Sequence, residues 1–532
     1  MKPNYPLSTK KNHFWVIGLV IVLVTISCGV LELGVEQNDL TPLPPEFTDD
    51  ILTPNPALDN QTNQQNNQMN NQQTKKGENG LTVNGPWLVF MTGGESRQSQ
   101  IWAANKDGSN PIVLASNAFV VGARNYSSNL KPAVSPNGNY VAYIEVEESP
   151  LRAYLRIVHL PSTENRRVVM LYDETTLGNS EDILDVILYQ ESSLAWSPDG
   201  QTLAFIGALE GGKAELFLHS PSEQSVTRAS ETPFQMYMPV WSQDSQSILV
   251  TATSEFHRGE GYSTYLFRPD GLWSYNLKRA TLEPIDWPFG DEPAYIRYTA
   301  WFGSTFHFFG TGSPCDTSNG CWLDILTGEK GNFPFPIVVY DISPQTGSML
   351  ATSFNTTLPS DEAGTYLFTP DNPSGVRLFS DELENIQWLE RSGVFTGRST
   401  TVPELKLLHI SHLGEVVKSI EWGVPGEYME LASSPDSSEA AWYRYVDAFN
   451  TGLWLGLQSN GTLELRPVYS GPVHDAVWTP SGESLLFIVD AFSPKTTENQ
   501  GLFMADSEGG NLIQLFSIPP EDFLTVLGFS GN

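Results

Sequence analysis

A tight turn of the form Ser-Pro-Asp-Gly, closing onto a strongly apolar run, returns along most of this chain. A motif that returns at a roughly constant period commits a sequence to a repeat architecture before any other feature is weighed. The fullest copy is Leu194-Ala195-Trp196-Ser197-Pro198-Asp199-Gly200-Gln201-Thr202-Leu203-Ala204-Phe205-Ile206. Pro198 presets φ for the first corner of a turn, and Gly200 supplies a position where φ can be positive. Related copies are Val134-Ser135-Pro136-Asn137-Gly138, Trp241-Ser242-Gln243-Asp244-Ser245, Ile342-Ser343-Pro344-Gln345-Thr346-Gly347, Ser434-Pro435-Asp436-Ser437 and Trp478-Thr479-Pro480-Ser481-Gly482. Each precedes an apolar run, such as Tyr140 to Ile144 or Leu485 to Val489.

Spacing tests the pattern. Ser135, Ser197, Ser242, Ser343, Ser434 and Thr479 stand 62, 45, 101, 91 and 45 residues apart. The two long gaps are about twice the others, so each should hide a degenerate copy. Trp301-Phe302-Gly303-Ser304 before Phe306 to Phe309 fills the first, and Trp388-Leu389-Glu390-Arg391-Ser392-Gly393 before Val394-Phe395 fills the second. A further strand recurs in each unit, as in Gln100-Ile101-Trp102-Ala103, Glu215-Leu216-Phe217-Leu218-His219 and Gly501-Leu502-Phe503-Met504. Four short strands per unit is the size of a propeller blade. The apolar runs are nearly continuous, as expected of strands covered on both faces. With 44 Gly, 37 Pro and 11% aromatic residues, the composition suits short strands and tight turns better than helices.

These residues resemble the WD40-like β-propeller repeat of TolB-type proteins, whose blades carry the same Trp-Ser-Pro-Asp-Gly turn before an apolar strand. The resemblance covers residues 86–532 and implies an all-β propeller of four-stranded blades; counting the units gives a single closed β-propeller of eight or nine blades, with the unit around residues 296–331 the weakest. It implies envelope protein partners, although the family's extra N-terminal domain is replaced here by a tether. The chain ends point to how the ring closes. The first unit begins at Trp87-Leu88-Val89-Phe90-Met91 without a leading strand, and Leu524 to Asn532 reads as a leading strand and turn with nothing after it. Joined, they complete the first blade and remove an exposed sheet edge.

Ahead of the propeller, Lys2, Lys10 and Lys11 precede the apolar stretch Phe14 to Ile26, the layout of a secretory signal. Thr25-Ile26-Ser27-Cys28-Gly29 then resembles a bacterial lipoprotein signal, in which Cys28 becomes the lipidated N-terminus; Ile26 and Ser27 fit, and Thr25 stands where Leu, Val or Ile is usual. An uncleaved transmembrane anchor from Phe14 to about Leu31 is the alternative. Both place the remainder outside the cytoplasm, at the cell membrane or envelope. Residues 29–85 are rich in Asn, Gln and Pro, with Asn60 to Gln73 broken only by Thr62 and Met69, and are expected to be a disordered tether. Treated as a flexible coil of about fifty residues, its root-mean-square reach is on the order of 40 Å.

The partners are bounded by charge. Asp and Glu number 61 against 29 Lys and Arg, for a net charge of −32, which repels nucleic acid. Of three cysteines, Cys315 and Cys321 bracket a five-residue loop; outside the cytoplasm the pair could form a disulfide worth roughly 2–3 kcal/mol. No His stands near it, so zinc is not expected, and no other metal or cofactor is implied. The chain carries no Gly-x-Ser-x-Gly elbow, no His-Glu-x-x-His and no phosphate loop. His159, His219 and His409 each end the third strand of a unit, which argues for a structural role. His474 beside Asp475, ahead of a leading strand, is the candidate pair for the mouth of the central channel. Asn105 to Asn110 resembles a calcium loop but lacks the closing Glu and coincides with a turn. The leading expectation is therefore a non-enzymatic, membrane-anchored scaffold binding an envelope protein or peptide. The rivals are a propeller enzyme acting on carbohydrate or peptide at the channel, and a calcium or small-molecule sensor.

Overall fold

A computed structural model describes residues 81–530 apart from a number of connecting segments, the longest being 120–133, 255–270, 286–297, 310–320, 354–362 and 490–499. These residues belong to the compact unit Thr74–Asn532. The signal stretch, Cys28, nearly all of the tether and Cys315 lie outside the described residues.

The recurring turn folds as its chemistry dictates. The Ser197 hydroxyl accepts the amide of Thr202 at 3.0 Å and donates to Asp199 Oδ1 at 2.5 Å, while the same carboxylate oxygen accepts the amide of Gln201. Gly200 closes the corner at φ 68°. Ser242 and Asp244 repeat the arrangement, and Ser135 repeats it with Asn137 in place of the aspartate. Ser434 and Thr479 accept the equivalent amides of Glu439 and Ser484. The motif thus satisfies the turn's own polar groups and lets two apolar strands leave in register.

Among the described residues the strands form nine four-stranded antiparallel sheets. Sheet I joins Trp87–Gly94, Arg97–Asn105 and Ile112–Ser116 to the C-terminal strand Asp522–Ser530. Sheets II to IX follow in chain order, starting at Ala118–Phe119, Leu194–Trp196, Gln235–Trp241, Tyr298–Phe302, Ile337–Ile342, Leu383–Leu389, Tyr428–Ser433 and Val473–Trp478. First strands of neighbouring sheets touch at III–IV, IV–V, VI–VII and VIII–IX, and the first strand of IX touches the C-terminal strand of I. These strands therefore make the inner ring of a β-propeller.

The core is a series of apolar layers between sheets. Val89 and Met91 face Val141 and Tyr143 of sheet II, whereas Leu88 and Phe90, one residue out of phase, face Leu486 and Ile488 of sheet IX. In the same way Leu485 and Phe487 turn toward Leu453 and Leu455 of sheet VIII. Strands with both faces covered cannot alternate apolar with polar, which is why their sequences read as unbroken runs. Trp side chains tie sheet to sheet: Trp241 Nε1 donates to the Ala195 carbonyl at 2.8 Å, and Trp478 Nε1 to the Ala432 carbonyl at 3.3 Å.

The expected ring of eight or nine blades needs correction to seven regular ones. Seven sheets, II, III, IV, VI, VII, VIII and IX, share one turn register, pairing Val134 with Val141, Trp196 with Leu203, Trp241 with Ile248, Ile342 with Met349, Trp388 with Phe395, Ser433 with Ala440 and Trp478 with Leu485. Those are the regular units. Sheet I is assembled from both chain ends, and sheet V pairs Trp301 with Phe306, a turn two residues shorter. The shortfall has a consequence. Turns of adjacent sheets normally meet, as where Asn137 Nδ2 donates to the Gly200 carbonyl at 2.7 Å. Past sheet V, Gln243 of sheet IV instead reaches the Ser343 carbonyl of sheet VI at 3.2 Å. A unit with a clipped turn cannot fill its place in that row, so repeat spacing alone overcounted the regular blades.

Candidate functional site at the inner strands

The inner strands are repeatedly bulged. Register shifts interrupt the first strands of sheet IV between Tyr237 and Val240, VI between Val339 and Asp341, VII between Glu384 and Gln387, VIII between Glu430 and Ala432, and IX between His474 and Val477. Sheet I carries one opposite Val89 and Phe90 in its C-terminal strand. A bulge re-aims the side chains beside it. Two of these bulges hold a non-glycine residue in the left-handed region, Met238 at φ 55° and Asp475 at φ 48°, each at a cost of order 1 kcal/mol or more. Beside Gly528, in the bulged strand of sheet I, an added Cβ would meet nothing within 4 Å, so the inner strands border open space there.

The structure brings together the pair expected at the channel mouth. His474 Nδ1 lies 3.3 Å from Asp475 Oδ2, and the two side chains are 31% and 27% exposed. An aspartate this close to Nδ1 favours the tautomer that carries its proton there, the orienting half of an acid–base pair. The contact lies at the bulge where Asp475 takes its left-handed φ, a detail no sequence spacing reveals.

The repeated histidines are local fasteners. His219, 1% exposed, places Nδ1 2.7 Å from the Ser225 carbonyl, and His159 places Nδ1 2.7 Å from Ser162 Oγ. Burial pushes the pKa of both below the ordinary value, and the nearby Arg166 guanidinium lowers both further. Their depressed folded pKa means that only the unfolded chain takes up protons readily as pH falls past 6.5, its ordinary value. The stability they contribute is whole above pH 6.5 and is lost as pH falls toward their folded pKa. Thermal melts should therefore shift downward between pH 7 and pH 5.5, and His219→Gln should flatten that slope; a wild-type melting temperature constant over this window would refute the assignment.

Other sequence candidates resolve plainly. Asp107 Oδ1 accepts the Ser109 amide at 3.0 Å and Asn105 Nδ2 donates to Ser109 Oγ at 2.9 Å, so the calcium-like segment is occupied as a turn. Among the described residues no group of three or more His, Cys, Asp or Glu is placed to hold a metal. Cys321 is buried and disulfide-bonded, while Cys315 and Cys28 fall outside the described residues. Among the described residues no helix is long and apolar enough to cross a membrane.

One recess escaped the sequence reading. Tyr140, Ile157, His159, Glu164 and Arg166 of sheet II and Pro221 and Gln224 of sheet III enclose about 160 Å³. It is built from two sheets, and its only sequence signal is the cluster Glu164-Asn165-Arg166-Arg167 in an otherwise acidic chain.

The chain matches no known family model. Over 68 residues it is 43% identical to the uncharacterized peptidase YuxL of Bacillus subtilis (strain 168), a stretch that is 13% of this chain and only 10% of that protein. Among solved structures it is similar to a eukaryotic initiation factor at 13% identity, covering 84% of this chain and 97% of that one with a TM-score of 0.46. It is also similar to dipeptidyl peptidase 4 of Porphyromonas gingivalis at 12% identity, over 76% and 64% of the two chains with a TM-score of 0.43. TolB from Acinetobacter baumannii is similar at 12% identity over 55% and 63%, with a TM-score of 0.28.

Proposed function

We propose that the propeller engages peptide chains at its inner strands and takes part in their processing on the outer side of a membrane. The observation that carries this reading is the 68-residue stretch shared at 43% identity with a protein named as a peptidase. The inner strands suit the role, because bulges free side chains and backbone groups for an extended ligand. In the processing reading His474 is the general base, held in tautomer and orientation by Asp475 at 3.3 Å.

The test is incubation of the full chain, in detergent, with a defined peptide mixture read by mass spectrometry. Cleavage products that vanish in His474→Ala, with peptide binding retained, are the expected result. Capture without cleavage would replace processing by a scaffold that holds a protein or peptide. A chain that neither binds nor cleaves peptides would overturn both.

The location is part of the same proposal: Cys28 carries lipid and the propeller stands outside the cytoplasm. The lysines ahead of the apolar stretch and the disulfide at Cys321 support it, since structural disulfides persist in oxidising compartments. Metabolic labelling with a palmitate probe should mark the wild type and not Cys28→Ala, and the variant should leave the detergent-rich fraction. An unlabelled wild type that stays in the membrane would mean that the stretch from Phe14 to Leu31 anchors it directly.

A further inference from the structure

Arg166 is an oddity in this chain. Acids outnumber bases 61 to 29, and its neighbours are paired: Arg156 and Arg167 with Glu145, and Arg152 with Asp173. Arg166 makes no ion pair among the described residues; its guanidinium donates to the Pro221 carbonyl at 2.8 Å. That single bond crosses from sheet II to sheet III and holds the guanidinium at the wall of the recess, with most of its five N–H donors uncommitted. Its charge reaches both His159 and His219, adding to the burial that lowers their pKa values.

The remaining lining is of mixed character. Glu164, two residues earlier on the same strand, lies in the same wall, and strand geometry puts positions two apart on one face. Gln224 and Tyr140 belong to it too. Tyr140 is pinned between rings, 6.0 Å from Trp196 and 5.2 Å from His159, so this wall is formed without a ligand. The His159 ring is fixed through Nδ1 by Ser162.

We propose that this recess binds a small zwitterion, a free α-amino acid, with its carboxylate on Arg166 and its ammonium on Glu164. A guanidinium without a carboxylate calls for a planar anion that it can meet with two parallel N–H bonds. Glu164 beside it, and a net charge of −32, disfavour a dianion such as phosphate and ask for a donor on the same ligand. The recess volume of about 160 Å³ suits a molecule of a few heavy atoms and not a folded segment. The site is separate from the inner-strand bulges and stands whether or not the chain processes peptides.

The experiment is titration calorimetry on the intact protein with glycine, alanine, acetate, methylammonium and inorganic phosphate, and with N-acetyl-glycyl-glycine to represent a peptide terminus. The amino acids should bind in the millimolar range, as fits so few atoms, with acetate and methylammonium at least tenfold weaker. Arg166→Gln should weaken amino-acid binding at least tenfold. Glu164→Gln, a change at an exposed position, should bring amino acids down to the level of acetate and keep the melting temperature. Phosphate or acetate binding as tightly as glycine would overturn the zwitterion, and the acetylated dipeptide binding more tightly would assign the site to peptide termini. Amino-acid binding unchanged in Glu164→Gln would overturn the proposal even if Arg166→Gln failed to fold.

Discussion

Removing residues 522–532 is expected to abolish cooperative unfolding of the whole propeller, not to trim one edge of it. The strand Asp522–Ser530 pairs with Trp87–Gly94 along its entire length and supplies the inner strand of sheet I. Leu524 and Val526 fill the layer between sheets IX and I, against Leu486, Ile488 and Phe90, and Leu527 fills the layer toward sheet II. At about 1.5–3 kcal/mol for each buried side chain, these three alone contribute roughly 5–9 kcal/mol. That is comparable with the about 5–15 kcal/mol that separates a typical folded domain from its unfolded chain. The deletion also leaves a long apolar edge unpaired, which invites association between molecules. Circular dichroism melts should lose their sigmoidal transition, and a synthetic peptide of residues 520–532 should restore part of it. A truncated chain that melts at the wild-type temperature would show that the terminal strands do not close the propeller.

What could be read in the sequence was whatever is decided within a few residues. The Ser-Pro-Asp-Gly turn was legible because its hydrogen bonds run between Ser197, Asp199, Gln201 and Thr202, a window of six positions. Closure by the C-terminal strand was legible because each end lacked what the other supplied. The inequality of the units was legible only in part, as the weakness of the unit around residues 296–331. Trp301-Phe302-Gly303-Ser304 resembles its counterparts in composition, and only the pairing of Trp301 with Phe306 exposes the missing two residues. The inner-strand bulges were equally hidden, since a bulge is a relation between two strands and Met238 looks like any other apolar strand residue. His474 and Asp475 were singled out by adjacency, which proved to be the contact itself. The Arg166 recess was invisible because Pro221 and Gln224 reach it from another sheet, more than fifty positions along the chain.

Gly501→Ala should destabilise the protein by about 3 kcal/mol or more, while Gly271→Ala, at the corresponding start of a third strand, should change little. Gly501 sits at φ 141°, where L side chains rarely go, and a Cβ there would fall 1.9 Å from the Phe516 carbonyl oxygen and 3.0 Å from Ser517 Cα. Both atoms belong to the neighbouring strand Ile513–Ser517, which pairs Ser517 with Gly501 itself. Relief would require pulling that strand away, and with it Phe516, which packs edge-on against Phe90 at 5.1 Å and Trp102 at 4.8 Å in the seam closed by the C-terminal strand. The same close approach recurs at Gly364, where an added Cβ would fall 2.1 Å from the Phe379 carbonyl oxygen, and at Gly452, where it would fall 2.5 Å from that of Tyr469. Three sheets thus use glycine to let a fourth-strand carbonyl lie over the start of the third strand. At Gly271 no atom lies within 4 Å of the added carbon and φ is not in the left-handed region, so alanine there should cost nothing in space and should gain a few tenths of a kcal/mol from a stiffer unfolded chain. Urea unfolding of the two variants side by side separates the cases by their midpoints. Equal midpoints would mean that sheet IX yields to the added carbon and that this seam is looser than its packing implies.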